Sequence, residues 1–139
     1  MKYLLDTNVI SEMFKQNCDQ NVLNFLDFIG LENSYISAFT FGEICYGVEK
    51  LSASKKKHDL PRWLYFKIPQ LFNSRIVPLD TDVFIEWGRL RAKAKGAISY
   101  DDSFLAASAI FHNMTLVTRN IKDFESVEGI KLINPFLGV

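Results

Sequence analysis

Short unbroken apolar runs alternate along this chain with longer stretches in which apolar positions recur every three or four residues. The first run, Tyr3-Leu4-Leu5, is too short for a helix, and it predicts a strand over residues 2–5 that is buried on both faces. Asp6, Thr7 and Asn8 follow at once. All three are residue types that begin helices, so Asp6 or Thr7 is expected to cap a short helix through Phe14. Val22, Phe25, Leu26 and Ile29 recur at helical spacing and predict a helix over 19–29. SYIS (34–37) reads as a strand ending in an N-cap serine. The helix that follows runs from Ala38 to about Leu51, with Phe41, Ile44, Cys45 and Val48 along one stripe.

The second half repeats the alternation. Residues 54–73 predict a helix that is basic at its start (Lys55, Lys56, Lys57) and aromatic later (Trp63, Tyr65, Phe66, Phe72), bent or divided by Pro61 and Pro69. RIVPLD (75–80) predicts a short strand and then a capped helix to about Lys95, with Gly96 as its C-cap. Ser99 caps a helix to about Asn113, TLVT (115–118) is a buried strand, and Lys131 to Ile133 is a final one. Strands separated by helices require crossover connections and a mainly parallel sheet. The expected fold is a single α/β domain over residues 1–139, a three-layer α/β/α sandwich.

Composition narrows the function classes only slightly. Sixteen Lys plus Arg balance sixteen Asp plus Glu, so net charge does not point to a nucleic-acid partner, although a local groove can be basic in a neutral protein. The two cysteines, Cys18 and Cys45, form no CxxC pair and have no histidine cluster beside them, unlike a disulfide scaffold or a structural zinc site. No basic segment followed by a long apolar one opens the chain, and no apolar run approaches a membrane span. A cytoplasmic protein without a membrane partner is expected.

The chemistry gathers at strand ends. Asp6 ends the first strand, and Glu43 lies in the helix after the second, between stripe members Phe41 and Ile44. Asp102 opens the helix before the last long strand, and Asp123 follows TLVT. Taken singly, Asp6 and Asp102 read equally as helix caps, Glu43 as an edge residue with its head in water, and Asp123 as a turn residue. Together they would repel one another in a single crevice, and such a cluster holds a cation or keeps a proton. Oxygen ligands in small number suit Mg²⁺ or Mn²⁺.

In their order, LLDTNVISE, FGEICYGVEKL, ISYDDSFLAASA and TLVTRNIKDF resemble a PIN-domain ribonuclease, and more narrowly the VapC-type toxins of bacterial toxin–antitoxin pairs. The resemblance runs from residue 2 to about Phe136. It implies a parallel sheet between helices and Mg²⁺- or Mn²⁺-dependent cleavage of RNA. It also implies a homodimer and a cognate antitoxin whose tail blocks the site. The family's acidic trio matches Asp6, Glu43 and Asp102; Asp102 is chosen over Asp101 because it directly precedes the Ser103-Phe104-Leu105-Ala106-Ala107 run. Its hydroxyl and amide positions match Thr7, Asn8 and Thr118. Many members carry a fourth acidic residue where this chain has Asn120, which puts a second metal in doubt; Asp123 or Asp101 is expected to substitute only in part, since neither matches that position.

On this reading Asp6 and Asp102 hold the metal directly, Glu43 binds it or orients the attacking water, and Thr7, Asn8, Thr118, Asn120 and Asp123 support them. Arg119, beside the crevice, is expected to touch substrate or partner. Arg89, Arg91, Lys93 and Lys95 read first as a helix end answering its own dipole. Rival readings are weaker. A haloacid-dehalogenase-like phosphatase needs a second aspartate where Asn8 stands, and a receiver domain needs a lysine that TLVTRN lacks. A housekeeping PIN nuclease for RNA processing and a catalytically silent PIN-fold binding module remain as alternatives.

Overall fold

Leu4 and Leu5 are both fully buried, on opposite sides of one sheet. Successive side chains on a strand point to opposite faces, so an unbroken apolar run is what a strand covered on both sides requires. The computed structural model describes residues 1–53, 62–94, 96 and 98–138. Its strands are β1 (Tyr3–Leu5), β2 (Ser34–Ser37), β3 (Ile76–Val77), β4 (Thr115–Val117) and β5 (Leu132–Ile133), all parallel, in the order β3-β2-β1-β4-β5.

Four helices cover one face: α1 (Thr7–Met13), α2 (Gln20–Ile29), α3 (Ala38–Ala53) and α4 (Leu64–Phe72). Val9, Phe25, Ile44 and Ile68 from these helices pack with Leu5, Ile36 and Val117 of the strands. On the other face α5 (Thr81–Lys93) and α6 (Tyr100–Phe111) bring Leu90, Leu105, Ala106 and Ala109 against Leu4, Val77 and Leu116. The small alanines let α6 lie close to the sheet. The outcome is the expected three-layer α/β/α arrangement, with an all-parallel sheet in the middle. Among the described residues, no helix is long and apolar enough to cross a membrane.

The helix starts follow the capping chemistry read from the sequence. Asp6 caps α1, Asp19 accepts from the Asn21 N–H, Asp80 from the Val83 N–H, and Ser99 from the Asp102 N–H. The Ser37 hydroxyl accepts from the Phe39 N–H at 3.0 Å where β2 passes into α3.

Two expectations are corrected. Gly96 does not cap α5: the helix ends at Lys93, and its cap is Ala94 in extended backbone, a conformation any residue adopts. Pro69 does not divide its helix: α4 runs through it from Leu64 to Phe72, giving up the single bond that an N–H at this position would make to the Tyr65 carbonyl. The basic start of the predicted 54–73 helix, with Pro61, and the Lys95 end of the next lie outside the described residues.

The cations at the end of α5 serve the fold where their contacts are seen. Arg91 donates from Nη1 to the Ile98 carbonyl at 2.7 Å, and its guanidinium lies 4.4 Å from the centre of the Tyr100 ring. It therefore ties the end of α5 to the start of α6. Truncation of the fully buried Leu116 to alanine should cost about 2–5 kcal/mol. Urea unfolding should register this as a lower midpoint with an unchanged slope.

Candidate active site

The sheet order reverses at β1: the chain steps outward through β2 and β3 on one side, then returns to lay β4 and β5 on the other. Ligand crevices of open parallel sheets form at such switch points, outside the carboxyl ends of the strands. Asp6 is the first residue past β1 and Thr118 the first past β4, its pairing neighbour. The Asp6 N–H donates to the Val117 carbonyl at 2.9 Å, extending the ladder to the crevice rim.

Side chains then close the junction. Asp6 Oδ1 accepts from the Thr7 N–H at 2.6 Å, and Oδ2 accepts from the Thr118 hydroxyl at 2.8 Å and from Asn8 Nδ2 at 3.4 Å. The Thr118 hydroxyl in turn accepts from the Asn120 N–H at 3.1 Å and Asn8 Nδ2 at 3.4 Å. Asn8 Oδ1 accepts from the Arg119 N–H at 3.1 Å. The α1 start, β1 and β4 are thus joined by three short polar side chains. Glu43, half-buried on α3, is brought in by the Thr7 hydroxyl, which donates to Oε1 at 2.7 Å. Asp102 stands half-buried in the first turn of α6, held by the Ser99 cap.

The carboxylates feel one another. Burial, the largest cause, raises the pKa of Asp6; hydrogen bonds from Thr118, Thr7 and Asn8 pull it back, and the charge of Asp123 adds to the rise. Burial also raises Glu43, offset by the Thr7 bond and reinforced by the charges of Asp6, Asp101 and Asp102. Asp102 is raised first by burial, against the Ser99 bond, and then by Asp123, Asp6 and Asp101. The trio read from the sequence therefore shares one field.

Asp123, exposed in the 3-10 turn Ile121–Asp123, contributes its charge to that field. So does Asp101, passed over for the trio in favour of Asp102 but expected to substitute in part for a missing fourth acid. Asn120 contributes its backbone N–H to Thr118. The guanidinium of Arg119 lies over the ring of Phe136. Glu12 is buried but structural: Oε1 accepts from the Asp19 N–H at 2.9 Å and Oε2 pairs with Lys15 at 3.1 Å.

The donor chemistry decides what the cleft can hold. Among the described residues, no three His, Cys, Asp or Glu side chains close on one point as a preformed ligand set. Asp6, Glu43 and Asp102 nevertheless present only oxygen donors under mutual repulsion, which fits a hard divalent cation. Soft or borderline metals are not favoured. Burial pushes the Cys45 thiol, two residues from Glu43, above its usual range, away from the thiolate a zinc ligand needs.

Fold and cleft together define a class: an α/β/α protein whose site is built from carboxylates at the switch point of an all-parallel sheet. The PIN domain pattern matches residues 3–130. Toxin FitB of Neisseria gonorrhoeae is 37% identical over 136 residues, 96% of this chain and 97% of FitB. The VapC ribonuclease Y4jK of Sinorhizobium fredii is 33% identical over 136 residues, 96% of each chain. In three dimensions the crystal structure of FitAcB from Neisseria gonorrhoeae superposes with a TM-score of 0.85 at 36% identity, covering 96% of this chain and 98% of that one. The chain belongs to the PIN domain family and, within it, to the VapC-type toxins.

The raised carboxylates have a stability signature. Between the ordinary carboxylate range and their raised values, the folded state keeps protons that the unfolded chain releases. Their contribution therefore favours folding on the acidic side, is lost as pH rises through that window, and stays lost above it. In cation-free buffer Asp102→Asn should raise Tm by about 3 °C at neutral pH, as relief of a modest repulsion does in a domain of this size, and flatten the acid-side slope. Thermal scans across the acidic-to-neutral range test both.

Proposed function

We propose that this chain is the ribonuclease toxin of a toxin–antitoxin pair and hydrolyses RNA phosphodiester bonds with a divalent cation held by Asp6, Glu43 and Asp102. The observation that carries the reading is the mutual charge of these three carboxylates at the junction of β1 and β4. Its support is the likeness to proteins described as a toxin and as a ribonuclease.

Bound Mg²⁺ or Mn²⁺ would supply a water of lowered pKa and neutralise charge on the phosphoryl oxygens. Asp6 is oriented by Thr7, Asn8 and Thr118; Oδ2 takes two of these bonds and Oδ1 only one, so Oδ1 keeps a lone pair for a cation. Glu43 has Oε1 engaged by the Thr7 hydroxyl. Its raised pKa makes it a better proton acceptor than an ordinary surface carboxylate, so it takes the proton of the attacking water. Asp102 faces the same field from the other helical layer, held by the N-terminal turn of α6. Asn120 adds no negative charge, and the reading requires one cation rather than two.

Two protein partnerships belong to the same proposal. A cognate antitoxin covers the cleft. A second copy packs on the apolar face formed by α5 and the start of α6, where Phe84, Ile85 and Tyr100 are 43%, 49% and 58% exposed. Phe84 packs 5.8 Å from Phe104, and Trp87 stacks on both Phe104 and Tyr100, so this face is a rigid aromatic surface of the kind interfaces use.

Purified protein should cut bulk cellular RNA into discrete fragments with Mg²⁺ or Mn²⁺ and leave it whole in EDTA. Asp6→Asn, Asp102→Asn and Glu43→Gln should each reduce the rate by roughly 10²–10⁴-fold. Uncut RNA with cleanly folded, antitoxin-free protein would move the chain to the silent binding modules. In a separate check, Ile85→Glu should elute from size exclusion at half the mass of the unaltered protein while remaining folded.

A further inference from the structure

Arg119 follows Thr118 directly, so its backbone lies beside the carboxylate cleft, yet among the described residues its side chain makes no ion pair. Its guanidinium carbon lies instead 3.8 Å from the centre of the Phe136 ring. The backbone on either side is pinned. The Arg119 N–H donates to Asn8 Oδ1 at 3.1 Å, and its carbonyl accepts from Asn134 Nδ2 at 3.2 Å. Asn134 Oδ1 accepts from the Phe136 N–H at 3.0 Å, capping the 3-10 turn Pro135–Leu137, and the Phe136 carbonyl accepts from Asn21 Nδ2 on α2 at 3.0 Å. The ring that carries the guanidinium is therefore anchored to two parts of the fold.

A cation that only balanced the cleft would pair with one of its carboxylates. Stacked on an aromatic face, the guanidinium is held in place while its N–H donors remain without protein acceptors among the described residues. Its fork of donors matches a phosphate, and Arg119 itself is exposed. We propose that Arg119 clamps a phosphate of the RNA strand next to the one being cut, and that Phe136 and Asn134 are positioning residues that preset it. The proposal rests on the ribonuclease reading and names how that site grips its substrate.

The test measures binding and cleavage separately. Binding of end-labelled bulk cellular RNA to the cleavage-silent Asp102→Asn protein is followed against salt concentration. Single-turnover cleavage by otherwise unaltered protein gives the rate at saturation and the half-saturating concentration. Arg119→Ala should weaken binding about tenfold, the loss of one charge-assisted contact, and raise the half-saturating concentration for cleavage by a similar factor. The slope of log affinity against log salt should shrink by about 0.7, one phosphate on a single strand. Arg119→Lys should restore the slope and only part of the affinity. Phe136→Leu, checked for folding by its Tm, should weaken binding about threefold with the slope unchanged, because the charge is kept but not preset.

Unchanged binding and salt slope in Arg119→Ala overturn the clamp, and so does a fall in saturated rate alone. Loss of antitoxin binding with RNA binding intact would reassign Arg119 to the protein partner. If the unaltered protein neither binds nor cuts RNA, the ribonuclease reading itself has failed, which is a different result from a clamp that fails in an active enzyme.

Discussion

A single hydrogen bond, from the Thr118 hydroxyl to Asp6, closes the seam between the two strands at which the sheet changes direction. Asp6 is only 8% exposed and Thr118 not at all, so the bond lies where an unpaired carboxylate would be expensive. The same aspartate caps α1, sets Thr7 to reach Glu43, and through Asn8 fixes the backbone of Arg119. One side chain thus serves helix initiation, strand alignment and site assembly at once. Replacement with asparagine keeps one acceptor oxygen for the Thr7 N–H but sets an NH2 group against the Asn8 and Thr118 donors, so it loosens the seam as well as removing the charge that site assembly needs.

The cleft is a place where the fold accepts unfavourable electrostatics. Burial raises the pKa of all three carboxylates; the charge of Asp6 adds to the rise at Glu43 and Asp102, that of Asp102 to Glu43, and exposed Asp101 and Asp123 contribute as well. Nothing in the hydrophobic layers requires this arrangement; Leu4, Leu5, Leu116 and Val117 would pair the central strands equally well with neutral residues beyond them. Stability given up at one edge of a well-packed sheet is a common mark of a functional site. Three hydrogen bonds hold the Asp6 carboxylate in place, so its repulsion from neighbouring charges is not relieved by rotating that side chain.

Much of this was legible in local sequence because strand ends and caps are local events. Leu4-Leu5 announced a strand covered on both sides, and Asp6, Asp80 and Ser99 announced their helices, since a cap needs only the next three N–H groups. The resemblance to the family, whose aspartate stands directly before a small-residue run, selected Asp102, and that run forms the buried face of α6. What the sequence could not carry were encounters across the fold. The Thr7 bond to Glu43 spans residues far apart in the chain, and the seat of Arg119 on Phe136 brings together two loops that share no local pattern. Asp101 was expected only as a partial substitute for a fourth acid; that its charge reaches both Glu43 and Asp102 is an effect through space that no local pattern carries. Gly96 and Pro69 misled for the opposite reason: both residue types permit or discourage a conformation, and the surrounding structure needed neither effect.

The parts of the cleft come from widely separated points of the chain, with Asp6 near its beginning and its partner Thr118 near its end. During synthesis the first strand therefore waits, with its carboxylate unmatched, until β4 has emerged and paired with it. Asp102 likewise has no place to stand before α6 has packed on the second face. A partly made chain carries the first aspartate without the geometry that gives it meaning, and a ribosome that stalls before the fourth strand releases a fragment lacking the assembled cleft. The winding order of the sheet thus makes the cleft a late product of folding: its parts do not meet until the strand on the far side of β1 has been laid down.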